Sequence, residues 1–282
     1  MLCVMMGKLL SLHMSAPLTL LVDNGSLEPA ATLGLRALAA KLAARVRAPV
    51  EPVSLLHSSA VPAEKLGGTA AEILEPALER RLKAGQTSFL ILPLFFGPSG
   101  ALTDYLPARL AHLQGKYPGL TAKVAAPLFA PGDDRLARIL ADQVRAVAGS
   151  SRRVALVDHG SPARAVAEVR NELSCRLAGQ LGPDFTVAPC SMERRDGAAY
   201  DFCEPLLAGL LRQPGWNAGE VTIAMQFLLP GRHAGPGGDV AEICREAEAA
   251  GGGKLRTAMT ALVAEHPLLV EILADRWSRA GL

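Results

Sequence analysis

The chain's 282 residues, half of them hydrophobic and a fifth charged, exclude a disordered or low-complexity protein and give room for one large domain or two of about 140 residues each. With 29 Lys plus Arg against 27 Asp plus Glu, a net charge of +2 and only 4% aromatic residues, no global field marks a nucleic-acid binder, so an anionic partner has to be held locally. No stretch reaches the roughly 18 to 20 uninterrupted apolar residues that crossing a bilayer requires, so no membrane partner is expected.

At the N-terminus, one lysine and an apolar stretch broken by Ser11 and His13 make a poor secretory signal. Met14 directly precedes the first strand-like run and offers a second start, which would leave residues 1–13 without a structural role. Short apolar and β-branched runs then alternate with longer segments of helical period, as in βαβ units around a parallel sheet. Strands are predicted over 18–22, 50–56, 88–94 and 122–127, with helices over 28–46, 69–83, 102–114 and 134–147. After the polar joint at 149–153 the alternation restarts, with strands predicted over 154–157, 185–190, 221–227 and 255–261 and helices between them.

The halves share words. Leu21-Val22-Asp23-Asn24-Gly25-Ser26 returns as Leu156-Val157-Asp158-His159-Gly160-Ser161, an offset of 135 (156 − 21), and Ile139-Leu140-Ala141-Asp142 returns at 272–275, an offset of 133 (272 − 139). Near-constant offsets at both ends of the unit indicate a tandem duplication. The expected architecture is two similar α/β domains, 15–149 and 150–282, each a mainly parallel four-stranded sheet flanked by helices.

In an open parallel sheet, ligands bind beyond the carboxyl ends of the strands. In the second half those ends carry His159, Glu193 and His233, so two imidazoles and a carboxylate leave successive strands on one edge. Such a set suits Fe2+, Co2+, Ni2+ or Zn2+ with coordination positions left open, and the same groups accept protons. Ser161 followed by Pro162 reads as the start of a helix. Glu193 is the weakest of the three, because Arg194 can neutralise it. In the first half the corresponding positions hold Asn24, Leu56 or the adjoining His57, and Ala101, so one site per chain is expected. The cysteines, Cys3, Cys175, Cys190, Cys203 and Cys244, are odd in number and contain no C-x-x-C pair, which points to a reducing cytoplasm. No G-x-S-x-G elbow, H-E-x-x-H or P-loop supports a hydrolase.

The turn Asp158-His159-Gly160-Ser161, the strand and loop Gln226-Phe227-Leu228-Leu229-Pro230-Gly231-Arg232-His233, and the late segment Leu262-Val263-Ala264-Glu265-His266-Pro267 together resemble the class II tetrapyrrole chelatases, the family of sirohydrochlorin cobalto- and ferrochelatases. The similarity spans nearly the whole chain, and Pro93-Leu94-Phe95-Phe96 repeats the strand motif in the first half without a histidine. The resemblance implies insertion of a divalent metal substrate, Co2+ or Fe2+ with Ni2+ as a further candidate, into a cyclic tetrapyrrole, with no organic cofactor. His159 and His233 would be the ligands, Glu193 their helper, and Arg232, Arg194 and Arg164, with Arg195 nearby, the cations for a substrate bearing eight carboxylates. His266 is read as structural, at a helix start. Met225-Gln226 in place of the expected Pro-Leu, and the glycine-rich run 235–238, depart from the pattern. They keep a second reading in view, a non-catalytic metal or tetrapyrrole carrier of the same fold. Monomer and homodimer are equally compatible with these features.

Overall fold

The computed structural model describes residues 16–281; the leader at 1–13, Met14 and Cys3 lie outside them. The first sheet is built from β1 (Leu18–Asp23), β2 (Val50–Ser54), β3 (Ser88–Pro93) and β4 (Thr121–Val124) in the order β2-β1-β3-β4. The second uses β5 (Arg153–Asp158), β6 (Thr186–Ser191), β7 (Gly219–Met225) and β8 (Leu255–Met259) in the order β6-β5-β7-β8. All six pairings are parallel. The central strands are near-continuous apolar runs because both faces of each sheet are covered. The predicted fold class, two four-stranded α/β sheets in tandem, is thus what the chain adopts.

The helices are α1 (Pro29–Val46), α2 (Leu74–Lys83), α3 (Leu106–Lys116), α4 (Arg135–Val147), α5 (Arg164–Leu181), α6 (Leu207–Leu210), α7 (Asp239–Ala250) and α8 (Leu268–Arg279). On the outer face of the first sheet, Leu20, Val22 and Ile91 pack with α2 and α3. On the outer face of the second, Ala155, Val157 and Ile223 pack with α6 and α7. Both inner faces join one continuous core through a shared layer of α1, α4, α5 and α8. Within that layer the last helices are exchanged, α4 lying beside α5 against β7 and α8 lying beside α1 against β3.

The exchange is held chiefly by apolar burial. Leu269, Ile272 and Leu273 of α8 are wholly buried, each contributing roughly 1.5–3 kcal/mol, whereas the Arg45–Glu271 pair at 2.8 Å is exposed and screened by solvent and adds little. Polar contacts then fix its orientation. Trp277 donates to Thr19 Oγ1 of β1 at 2.9 Å, and buried Arg276 donates to the carbonyls of Pro127 and Leu128 and pairs with Asp133 at 2.9 Å. Asp133 also accepts from Arg135, and these hydrogen bonds hold its carboxyl well below the ordinary range.

The structure departs from the predicted elements where local chemistry intervenes. Helix α2 begins at Leu74 rather than at 69, because Arg36 binds the carbonyls of Leu66, Thr69 and Ala70 and holds that stretch out of a helix. Between β6 and β7 the helix is one short turn, hemmed in by Pro205, Pro214 and Gly215.

Asp23, at the end of β1, has one carboxylate oxygen buried with no partner among the described residues. Burial pushes its pKa up to about 6, partly opposed by a hydrogen bond from Ser54. The unfolded chain releases this proton near pH 4 and the folded chain near 6, so stability is full below 4 and falls as pH rises through 6. Asp23→Asn is expected to remove that loss and to stabilise the chain by on the order of 2 kcal/mol at pH 7.5, with the difference vanishing toward pH 4. Urea unfolding across that range measures it, and a constant difference at every pH would contradict this account.

Candidate metal centre

The site begins at the carboxyl end of β5. Asp158 is buried there, accepting the Gly160 amide at 3.1 Å and the Ser191 hydroxyl at 2.6 Å. Its counter-charge is Arg170 of α5, only 1% exposed and 3.7 Å from the same carboxylate. Arg170 also donates to Ser191 Oγ and to the carbonyls of Cys203 and Phe202. Burial raises the Asp158 pKa, while the Ser191 hydrogen bond and the Arg170 charge pull it back. Gly160 sits at φ +91°, and a Cβ there would run into the Glu193 carbonyl oxygen. Only glycine permits this turn, which brings the backbone of His159 and Glu193 together, the Glu193 amide donating to the His159 carbonyl at 3.2 Å.

The second imidazole rises from the loop after β7. Reciprocal hydrogen bonds between Gly231 and Ala234 tighten the loop, and the amides of Asp239 and Val240, at the start of α7, donate to the carbonyls of Arg232 and His233. The two rings meet edge to face, with centroids 4.6 Å apart and planes at 61°. His159 Nδ1 lies 2.9 Å from the Gly160 carbonyl, and His233 Nδ1 lies 2.6 Å from Asp239 Oδ2. Both partners are acceptors, which places a proton on Nδ1 of each ring; the Nε2 of His233 has no hydrogen-bond partner among the described residues, whereas that of His159 faces a carboxylate. Glu193 Oε1 stands 3.4 Å from His159 Nε2, with their side chains 59% and 48% exposed. Among the described residues, no group of three or more His, Cys, Asp or Glu side chains is placed to hold a metal ion together. The arrangement is an open imidazole pair with a carboxylate at its edge, able to share an ion while leaving most coordination positions vacant.

The structure distributes the arginines differently from their spacing in sequence. Arg194 pairs with Asp201 at 3.0 Å and Glu204 at 2.7 Å, so it leaves Glu193 unneutralised, contrary to expectation, and its own charge is already matched. Arg164 lies 4.7 Å over the Phe202 ring and Arg195 lies 5.9 Å over Tyr200. Arg232 is 80% exposed and 3.7 Å from Asp239. Ser161 does not cap α5: its hydroxyl accepts the Ala163 amide in a local turn, and the helix starts at Arg164. His266 Nδ1 accepts the Leu268 amide at the start of α8, the structural role expected of it.

Hydrogen-bond register superimposes the halves. Leu56 donates to Asn24 as Glu193 donates to His159, and Gly25 repeats the tight turn of Gly160 against the Leu56 carbonyl. Leu94 donates to Val22 as Gln226 donates to Val157, which sets Ala101 opposite His233 (94 + 7 and 226 + 7). The first-half edge therefore carries Asn24, Leu56 and Ala101, while His57 is exposed at φ +65° beside it. The two halves meet near the site: a Cβ on Gly34 of α1 would come within 2.9 Å of Leu229, in the loop that bears His233.

Two residues of the site escape a sequence reading. Arg170 lies within an ordinary helical pattern, in the second turn of α5 and twelve residues beyond Asp158 (170 − 158). Asp239 follows a glycine at a helix start, where an acidic residue is expected for the helix dipole alone.

No family model and no curated protein sequence matches the chain. Solved structures do match. SirB from Bacillus subtilis with Fe3+ is 17% identical, with a TM-score of 0.70 over 94% of this chain and 96% of that one. The sirohydrochlorin chelatase SirB from Bacillus subtilis subspecies spizizenii in complex with cobalt is 17% identical, with a TM-score of 0.68 over 94% and 95%. DR2241 from Deinococcus radiodurans, a multi-domain protein with structural similarity to chelatases and two additional domains, is 15% identical, with a TM-score of 0.57 over 93% of this chain and 54% of that one. The chain has the two-sheet chelatase fold.

The buried Asp158–Arg170 pair gives a direct test of what supports the His159 turn. Arg170→Leu is expected to destabilise the chain by about 3–5 kcal/mol, because Asp158 would be left as an uncompensated buried charge. Adding Asp158→Asn should recover much of the loss in urea unfolding at pH 7.5. Equal stability of the single and double variants would show that the pair does not act as a unit.

Proposed function

We propose that this chain is a chelatase, inserting Co2+ or Fe2+ into a cyclic tetrapyrrole of the sirohydrochlorin class. The observation that carries the proposal is the imidazole pair, 4.6 Å apart and each ring held through Nδ1, with the Glu193 carboxylate beside it, on the open edge of the second sheet. Likeness of fold to structures titled as SirB with Fe3+ and with cobalt supports it.

Insertion requires the ion to shed water and two pyrrole nitrogens to lose protons. A closed cage of four ligands would trap the ion. Two nitrogens and a carboxylate hold it weakly enough for the macrocycle to compete, and free bases remain beside the pyrroles. Glu193 fits the role of helper because Arg194 is occupied by Asp201 and Glu204 and leaves its carboxylate available. For the substrate's carboxylates, Arg232 is a highly exposed cation at the rim, with Arg164 and Arg195 held over Phe202 and Tyr200. Among the described residues no helix is long and apolar enough to cross a membrane. The four cysteines among them are all free, in keeping with a reducing cytoplasm.

Purified chain mixed with sirohydrochlorin and each metal should change the tetrapyrrole spectrum faster than the uncatalysed mixture. His159→Ala and His233→Ala should each lower kcat/KM by about 100-fold or more, and Glu193→Gln by about 10-fold, the range of a misplaced acid–base group. Arg232→Ala should raise KM for the tetrapyrrole with kcat little changed. Parent-like rates in both histidine variants would refute the assignment, and tight stoichiometric binding without turnover would identify a carrier instead.

A further inference from the structure

We propose that Asp239 is the positioning residue of this centre, holding the Nδ1–H of His233 so that this imidazole is the anchoring ligand and His159 the releasing one. The inference rests on the metal-site reading above and deepens it. The contact is short, 2.6 Å from Nδ1 to Oδ2, and its acceptor is a carboxylate. At Nδ1, His159 has only the neutral carbonyl of its neighbour Gly160, at 2.9 Å. Hydrogen bonds to ionised acceptors are roughly twice as strong as neutral ones, and a carboxylate behind a histidine fixes its tautomer and makes its other nitrogen a better donor. His233 is also the less exposed of the two, 30% against 48%.

The backbone is shaped for this contact. In the first half the chain enters a helical turn directly at Ala101, the counterpart of His233. In the second half it makes a glycine-rich excursion over 234–238 before α7 starts at Asp239. That excursion folds Asp239 back onto the loop, its amide bonded to the Arg232 carbonyl at 3.2 Å. Gly238 lies so close that a Cβ there would stand 3.0 Å from the carbonyls of Arg232 and His233. The detour that departs from the family pattern therefore occurs only in the half with the histidine, and it delivers the carboxylate to that histidine.

The test is a Co2+ titration of the full chain, read in the visible absorption of the bound ion. Asp239→Asn is expected to weaken binding roughly 10–100-fold. In a His233→Ala background the same substitution should change nothing, which a general loss of charge or of folding would not reproduce. Parent-like binding by D239N, alongside weakened binding by H233A, would overturn the role of Asp239 and leave the metal site standing. An additive loss in the double variant would also overturn it, by showing that Asp239 acts independently of His233. Parent-like binding by H233A itself would instead remove the metal-site reading. If D239N does not fold, Asp239→Glu, which displaces the carboxylate by one methylene, gives the same comparison.

Discussion

The exchange of terminal helices is the constraint on which the rest of the architecture depends. Each sheet's inner face is covered by its own first helix and by the last helix of the other half, α8 over β3 and α4 over β7. Neither half can bury its inner face alone, so one core serves both sheets. The relative placement of the two strand-end edges follows from this packing rather than from the short polar joint between α4 and β5. The loop that carries His233 is seated against α1 at Gly34, so a first half without the histidine pair still supports the loop that carries one of them.

Duplication left the two edges with the same turn and different electrostatics. Both present a buried aspartate at the end of the first strand and a glycine whose missing Cβ lets the next strand's carbonyl approach. Behind Asp158 stands Arg170; the matching position in α1, at the 135-residue offset, is Leu35. An unpaired carboxylate in an apolar site resists ionisation, and Asp23, its pKa pushed up to about 6, carries that cost once the pH rises above it. The paired carboxylate can keep its charge and still accept from Ser191 and Gly160. The turn that carries His159 is thus built on an aspartate with a buried counter-charge and two hydrogen bonds, and the turn that carries only Asn24 has no such counter-charge among the described residues.

Much of this was legible in the sequence, for identifiable reasons. Strand-end placement and the repeated Asp-x-Gly-Ser word suffice to put His159, Glu193 and His233 on one edge, because a parallel sheet leaves little freedom there. Helix exchange was not legible: the apolar stripe of α4 reads the same whichever sheet it covers. Nor was the fate of Arg194, since its partners Asp201 and Glu204 lie in an irregular loop whose path no periodicity encodes. Ser161 misleads because serine bonds equally well to a turn and to a helix start, and here the turn takes it. The buried Gln226, one of the two departures from the strand motif, has an amide oxygen without a partner among the described residues, and nothing in the structure explains its presence.

Openness is what separates this centre from a structural metal site. A structural site closes four ligands around the ion and contributes its binding energy to folding; here the imidazoles stay partly exposed and no third ligand closes over them. The folding energy comes instead from the shared helix layer, which is complete without any ion. Stability and metal retention are therefore supplied by different parts of the chain. A chain arranged in this way can change what it holds at that edge without loosening its fold. The first half fits the same logic: its work is to cover a sheet and seat a loop, and Asn24, Leu56 and Ala101 at its strand ends do not interfere with either.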